Sequence, residues 1–284
     1  MEQTTRAAKR TDDDQTKAWN GPSGRAWVET LDLLDEVFAP VERLLLEETA
    51  VGSGGRVLDV GCGTGGTTLA FARAVGPAGH AVGIDVSEQM VAAARARGER
   101  SDVGARFVAA DAGAHPFDAA SFDAIVSRFG VMFFADPVGA FANLRRAAVE
   151  GAPLRFVAWR SVEENPFMTT AERAAAPLLP DLPPRKPDAP GQFAMADRAL
   201  VERVLRESGW REIEVQPVDL VCTTGRDQLE RYLTWLGPVG AYLQKVDDAT
   251  RRRVIESILP AFDPYLDGGE LRFTAACWLG KARA

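Results

Sequence analysis

Three carboxylates stand at the ends of short apolar runs, each beside residues small enough for a ligand to reach the backbone. Residues 56 to 66 read Arg-Val-Leu-Asp-Val-Gly-Cys-Gly-Thr-Gly-Gly, so Asp59 precedes a turn of Gly61, Cys62, Gly63 and Gly65. Alternate glycines permit unusual dihedrals and close approach, and the helix beyond them offers its amino end to the ligand. Asp59 can face a cationic amine there, directly or through water. The run Ala81-Val-Gly-Ile84 ends in Asp85, 24 residues beyond Gly61, and such an acid can accept hydrogen bonds from both hydroxyls of a ribose. Val86 and Met90 follow it into the same pocket. The run Arg106-Phe-Val-Ala-Ala110 then delivers Asp111, an acceptor for a purine amino group, with Ala112 as a backbone donor to the ring. Three strand ends thus address one extended nucleoside. A glycine turn of this kind also occurs in dinucleotide folds, so a nicotinamide dehydrogenase is a competing reading. It explains Asp59 and Asp111 less economically, and no hydride-transfer constellation accompanies it.

These residues need a parallel sheet to bring them together, and the pattern supplies one. Apolar strands near 56–60, 81–84, 105–110, 122–127 and 154–159 alternate with helices near 65–75, 88–97 and 137–149, the rhythm of a sheet covered on both faces. Ser87 can cap the second of these helices, and Asp136-Pro137 supplies a cap and a ring fixed near helical φ for the third. Upstream, residues 1 to 17 are polar and expected to fray, and Leu34, Val37, Phe38, Val41, Leu44 and Leu45 return at helical spacing over 32–47, with Pro40 able to split or bend the element. Pro166, Pro177, Pro180, Pro183, Pro184, Pro187 and Pro190 crowd residues 160 to 196, which excludes a strand ladder and reads as a lid or substrate insertion opening with a helix at 166–176. Beyond it come helices near 198–208, 229–236 and 252–259 and strands near 213–218 and 271–278. The two late strands can complete an open sheet with an antiparallel edge.

Composition narrows the function classes. The 284 residues include 33 basic and 40 acidic side chains, a formal charge of -7 that repels a nucleic-acid backbone in bulk. Cys62, Cys222 and Cys277 have no paired-ligand spacing, which suits a reduced protein and gives no zinc site. No signal-peptide core and no bilayer-length apolar run are visible, so the expectation is a cytoplasmic protein, monomer or homodimer, with no metal, no DNA and no membrane partner.

Val57-Leu-Asp-Val-Gly-Cys-Gly-Thr-Gly65, Gly83-Ile-Asp85 and Ala110-Asp-Ala112 resemble the successive signatures of class I methyltransferases that use S-adenosylmethionine, over roughly residues 55 to 160. The resemblance implies a Rossmann-like α/β fold with a seven-stranded, mostly parallel sheet ordered 3-2-1-4-5-7-6. It further implies that the glycine turn contacts the amino-acid part of the donor, Asp85 the ribose and Asp111 the adenine amino group. The stretch Phe122-Asp-Ala-Ile-Val-Ser-Arg-Phe-Gly-Val-Met-Phe-Phe134 resembles the fourth-strand region of small-molecule members, which places Ser127, Arg128 and Phe129 in the donor pocket. Arg128 then has two readings, a carboxylate ligand or half of an internal salt bridge. Val149-Glu-Gly-Ala-Pro153 departs from the basic-proline-glycine pattern of many relatives before strand five, which weakens transfer of that loop's geometry. Ala18-Trp-Asn-Gly-Pro-Ser-Gly-Arg-Ala-Trp-Val28 resembles a bacterial subgroup whose N-terminal segment crosses the donor pocket, where Trp19, Trp27 and Arg25 could exclude water or hold an anion; helix packing is the alternative for both tryptophans.

The resulting organisation is an N-terminal helical cap (1–54), a cofactor-binding core (55–160), a lid or substrate insertion (161–196) and a C-terminal part (197–284) that completes the sheet and pocket. On the acceptor side the candidates are Trp19, Trp27, Phe129, Met132, Phe133, Trp159, Phe167 and Met168, apolar residues that can converge above the sheet or serve as core. Arg128 and Arg160 leave room for an acidic handle. A carboxylate acceptor is ionised at neutral pH and needs no strong base, whereas a phenol or alcohol does, which favours an O-methyltransferase of a small organic substrate, as in natural product biosynthesis. No catalytic base is assigned: His80 and His115 are poorly placed, and Tyr232, Tyr242 and Tyr265 cannot be located from sequence. Alternatives are an N- or C-methyltransferase of a small molecule or peptide, an RNA methyltransferase, disfavoured by the acidic balance and the lack of a basic tract, and a non-catalytic regulatory protein that binds an adenosyl ligand.

Overall fold

A computed structural model describes residues 15–180, 182 and 190–284. The acidic run Asp12, Asp13 and Asp14 and the prolines Pro183, Pro184 and Pro187 lie outside the described residues. Residues 15–19, expected in part to fray, are helical.

Five strands, β1 (Arg56–Val60), β2 (His80–Asp85), β3 (Ala105–Ala109), β4 (Ala124–Arg128) and β5 (Pro153–Trp159), pair in parallel. β6 (Arg211–Gly225) and β8 (Glu270–Arg283) extend the sheet antiparallel, in the order β3-β2-β1-β4-β5-β8-β6. Counting in chain order, this is the arrangement the resemblance implies, with one addition: the two-residue β7 (Leu266–Asp267) folds back on β8, making eight strands in place of seven. β1 and β4 are buried along nearly their whole length, as central parallel strands with helices on both faces must be.

The sheet is covered by α4 (Gly66–Val75), α5 (Glu88–Ser101), α6 (Pro137–Ala147) and α8 (Arg198–Glu207). Their starts follow local chemistry. Ser87 Oγ accepts from Met90 N at 3.4 Å, Asp136 Oδ1 from Gly139 N at 3.0 Å, and Asp197 Oδ1 from Ala199 N at 2.8 Å. The N-terminal cap is α1 (Pro22–Glu29), α2 (Leu31–Val37) and α3 (Ala39–Thr49). The helix expected over 32–47 is therefore two helices, with Pro40 in the first turn of the second, where its missing N–H costs nothing.

The late strand pair is much longer than the hydrophobic runs that announced it. Asp219 and Thr223 interrupt the apolar pattern, but Cys222 and Thr224 are buried on the opposite face. Pro217 is tolerated because β6 is an edge strand bonded to β8 on one side only. Four further helices lie between the sheet strands and roof one end of the molecule: α7 (Phe167–Ala175), α9 (Leu229–Trp235), α10 (Gly237–Leu243) and α11 (Asp248–Ile258). α10 was not anticipated from sequence, and its Gly237, Pro238 and Gly240 are residue types that favour turns. No helix among the described residues is long and apolar enough to cross a membrane.

Candidate active site

The carboxyl ends of β1, β2 and β4 open into a cavity of about 510 Å³. At its floor the chain turns at Gly61, φ +68°, and passes Gly130 so closely that a Cβ on Gly61 would lie 2.5 Å from the Gly130 Cα. Two glycines in separate loops therefore let the β1 and β4 ends meet. Gly63, φ +54°, is different: a Cβ there would point toward Trp27 and Met90 at 3.8 and 3.9 Å, into the cavity itself. That is the cradle where a ligand can lie against bare backbone.

Asp85 anchors the next part of the wall. Its Oδ2 accepts from Gly63 N at 2.9 Å and its Oδ1 from Ser87 N at 2.9 Å, so the acid at the end of β2 is locked to the glycine turn. Burial raises its pKa from the usual carboxylate value, and the backbone N–H groups of Ser87, Gly63 and Val86 oppose the rise. Each oxygen keeps a second acceptor direction, and the residue lies on the cavity wall. Asp111 is fixed by Gly113 N at 2.8 Å, and Asn143 Nδ2 donates to the Ala112 carbonyl at 2.9 Å, tying this loop to α6. Gly61, Gly63, Asp85, Val86, Met90, Asp111, Ala112 and Arg128 all line the cavity.

Four residues expected at the donor do not. Asp59 is 1% exposed and accepts from Thr68 Oγ1 at 2.6 Å, one layer behind the glycine turn. Burial, the largest cause, pushes its carboxyl up to about 6. Cys62 packs with Leu69, Val91, Ala94 and Phe107 in a small core under α5, where burial raises its thiol well above the ordinary value. A Cβ on Gly65 would strike the Phe107 ring at 2.8 Å, so this glycine serves helix packing. Ser127 Oγ donates to Val60 O at 2.7 Å and accepts from Gly130 N at 3.1 Å, which fixes the crossing of the two loops from behind. All four support the turn without lining the cavity: Asp59 and Ser127 bond behind it, and Cys62 and Gly65 pack toward Phe107.

The amino end of α4 carries a set of incompletely paired polar atoms. Arg128, its side chain 8% exposed, has Nη2 3.7 Å from Asp35 Oδ1, while its buried Nη1 has no hydrogen-bond partner among the described residues. Asp59 Oδ1 and Thr67 Oγ1 are likewise buried without one. Buried polar atoms are nearly always bonded, and of these three residues only Arg128 lies on the cavity wall, so its open guanidinium nitrogen fits an anionic group bound there, with the Asp59 carboxylate one layer behind.

The other half of the cavity is apolar. Trp19, Trp27, Phe129, Met132, Phe133, Trp159, Phe167 and Met168 all lie on its wall. Phe129 sits at φ +66°, a conformation that bulky residues rarely adopt, and its ring stacks on Trp159 with centroids 4.6 Å apart. Phe167 stacks on Phe273. Trp19 meets Phe133 edge to face at 5.1 Å, and its segment is held across the pocket by Ser87 Oγ donating to Trp19 O at 2.7 Å and Gln89 Nε2 donating to Gly21 O at 2.8 Å. Arg25 is exposed and off the wall. Arg160 is also off it, paired with Glu164 at 3.0 Å and Asp219 at 2.9 Å, so it offers no handle to a ligand. His115 packs on Phe117 outside the cavity.

Sequence reasoning missed Phe38, Glu172, Trp235 and Phe262, and left Tyr232 unplaced; all five line this half. Tyr232 Oη donates to Met168 Sδ at 3.7 Å. Tyr232 and Trp235 are three apart on α9, a spacing that puts both on one helix face, but nothing in the sequence says which face looks inward.

Comparison with known proteins agrees with this geometry. The methyltransferase domain family matches residues 57–151, which include the glycine turn, Asp85, Asp111 and β4. Over 248 residues the chain is 28% identical to nocamycin O-methyltransferase of Saccharothrix syringae, covering 84% of this chain and 89% of that protein. It is 35% identical over 124 residues to aklanonic acid methyltransferase of Streptomyces sp. (strain C5), covering 43% of this chain and about half of that protein, 56%. A solved structure of a SAM dependent methyltransferase from Aquifex aeolicus superposes with TM-score 0.51 at 20% identity, over 67% of this chain and 89% of that one, a likeness of fold. Its sheet order, its glycine cradle and the methyltransferase domain matched over residues 57–151 together support a class I S-adenosylmethionine-dependent methyltransferase of the small-molecule type.

Proposed function

We propose that the enzyme methylates a small organic acceptor with an apolar body, at a carboxylate or hydroxyl oxygen. The observation that carries this reading is the division of one cavity into a half lined by backbone and carboxylates and a half lined by aromatic rings. In this reading Asp85 accepts from the ribose hydroxyls, Asp111 and the Ala112 backbone receive the adenine, and Gly61 and Gly63 give backbone access to the amino-acid part. Arg128 pairs with the carboxylate of that part, and Asp59 balances its ammonium from behind the turn. Bound there, S-adenosylmethionine supplies an electrophilic methyl on a sulfonium. Residues 55–160 hold this group, and the N-terminal cap, the 161–196 insertion and the C-terminal helices enclose the acceptor.

The chain's own contribution to transfer is alignment and exclusion of water. Phe129, Trp159 and Phe167 offer flat surfaces that orient a planar acceptor, and Trp19 and Trp27 close the side facing solvent. An ionised carboxylate needs only this orientation. A hydroxyl also needs a proton acceptor, and Glu172 and Tyr232 are the titratable groups on the apolar half of the wall. The two O-methyltransferase and acid-substrate names among the relatives favour oxygen over nitrogen or carbon.

The test is transfer of labelled methyl from S-adenosylmethionine to matched aromatic acids, phenols, amines and activated methylenes. Base-labile methyl ester or stable methyl ether products are expected. Label found only on nitrogen or carbon would overturn the oxygen assignment, and label accepted only by RNA or peptide would overturn the small-molecule one.

A further inference from the structure

We infer that Asp35, in the N-terminal cap, is a positioning residue for donor binding, because it holds the Arg128 guanidinium toward the amino-acid end of the pocket. This rests on the reading of Arg128 given above. Asp35 belongs to α2, outside the matched domain, and reaches the amino end of α4 from above. A Cβ on Gly66 would lie 2.6 Å from Asp35 Oδ1 and 3.5 Å from Arg128 Nη2, so the first helical residue of α4 must be bare for the pair to sit there.

The carboxylate is shared. Its Oδ2 accepts from Arg97 Nη2, and Arg97 Nη1 donates to Thr64 O at 2.8 Å within the glycine turn. Its Oδ1 faces Arg128 at 3.7 Å, beyond hydrogen-bond reach but close enough for Coulomb attraction between partly buried charges. That distance matters. A bidentate pair through both Nη atoms would commit Nη1 to Asp35, whereas this looser contact faces Nη2 alone and leaves the buried Nη1 open to a second anion. Arg97 limits how far Asp35 can move, so one carboxylate joins the cap, the glycine turn and the end of β4.

The proposal is specific about which part of the ligand feels Asp35. S-adenosylhomocysteine carries the amino-acid tail, and 5′-methylthioadenosine has the same adenosine without it. Calorimetric titration of both into wild type, Asp35→Asn and Arg128→Met separates the contributions. Asp35→Asn is expected to weaken S-adenosylhomocysteine about tenfold, the scale of one charge-assisted contact, while methylthioadenosine affinity stays within twofold. Methylthioadenosine binding also reports that the variant is folded. Equal weakening of both ligands, or of neither, overturns the role of Asp35. If Arg128→Met also leaves S-adenosylhomocysteine unaffected, the donor-tail reading itself fails. A loss in Arg128→Met without one in Asp35→Asn removes only the present inference.

Discussion

The donor half and the acceptor half of the cavity are built by opposite means. The donor half uses strand ends and backbone: Asp85 is gripped by the N–H groups of Gly63 and Ser87, Asp111 by that of Gly113, and Gly61 passes Gly130 at a spacing no side chain permits. The acceptor half uses rings from the cap, the end of β5, α7, α9 and the turns after β4 and α11, and most of them, Phe38, Phe129, Trp159, Phe167 and Phe262 among them, are also part of the core. Binding groups in the first half, Asp85, Asp111 and the glycines, fix the local turns but are not part of the hydrophobic core. In the second half most of the binding groups are core groups, so specificity changes at Phe129, Trp159 or Phe167 also change packing.

This contrast sets the expected outcomes. Phe167→Ala should show the largest effect, about 3–5 kcal/mol of stability in denaturant unfolding, because a ring 3% exposed is removed from between Phe273 and the cavity. A variant of unchanged stability would break the claim that the acceptor wall is core. Asp85→Ala should do the reverse, weakening S-adenosylhomocysteine on the order of 100-fold, equivalent to about 2.7 kcal/mol, with a smaller loss of stability than Phe167→Ala, from the Gly63 and Ser87 N–H groups left without their acceptor. Loss of fold in parallel with loss of affinity would erase the distinction.

Asp59→Asn sharpens the comparison from a residue that belongs to the donor half yet does not touch the cavity. Its carboxyl titrates at about 6 when folded against 3.8 when unfolded, so the folded state holds the proton more tightly. The buried charge therefore costs stability above pH 6, and that cost fades as pH falls toward 3.8. Asn should stabilise the ligand-free protein by about 2–3 kcal/mol at pH 8 and make no difference at pH 3.5. A destabilised Asn variant at pH 8 would mean that the charge is better compensated than its burial implies. The smallest effect is expected from Trp19→Ala, roughly 1 kcal/mol or less of stability from two edge-to-face contacts. It should also raise the KM for acceptor more than that for donor.

The donor half was legible in the sequence because its requirements are local. A strand, three glycines and an acid must be consecutive for the turn to form, and the next two acids must follow one helix and one strand later. What sequence could not tell was which residues of that phrase face the ligand. Asp59, Cys62, Gly65 and Ser127 belong to the signatures as supports, and Gly130, which makes the crossing at Gly61 possible, lies in the fourth-strand stretch without a role that sequence could assign. The sheet's late strands were found but cut short, since β6 buries Cys222 and Thr224 rather than a run of aliphatics. The roof was hardest to read. Phe38, Glu172, Trp235 and Phe262 come together from four separate elements with no spacing rule to join them, and α10, opening on Gly237-Pro238, was not anticipated. Arg160, read as leaving room for an acidic handle, is off the cavity wall, paired with Glu164 four residues on and with Asp219, a partner that only the fold brings near.

A crystal structure of the enzyme soaked with S-adenosylhomocysteine tests the division of the cavity most directly. The account expects adenosine between Asp85 and Asp111, the amino-acid tail at Gly63 and Arg128, and the space bounded by Phe129, Trp159, Phe167 and Tyr232 left for the acceptor. Adenine stacked among those aromatic rings, with Asp85 free of the ribose, would contradict it.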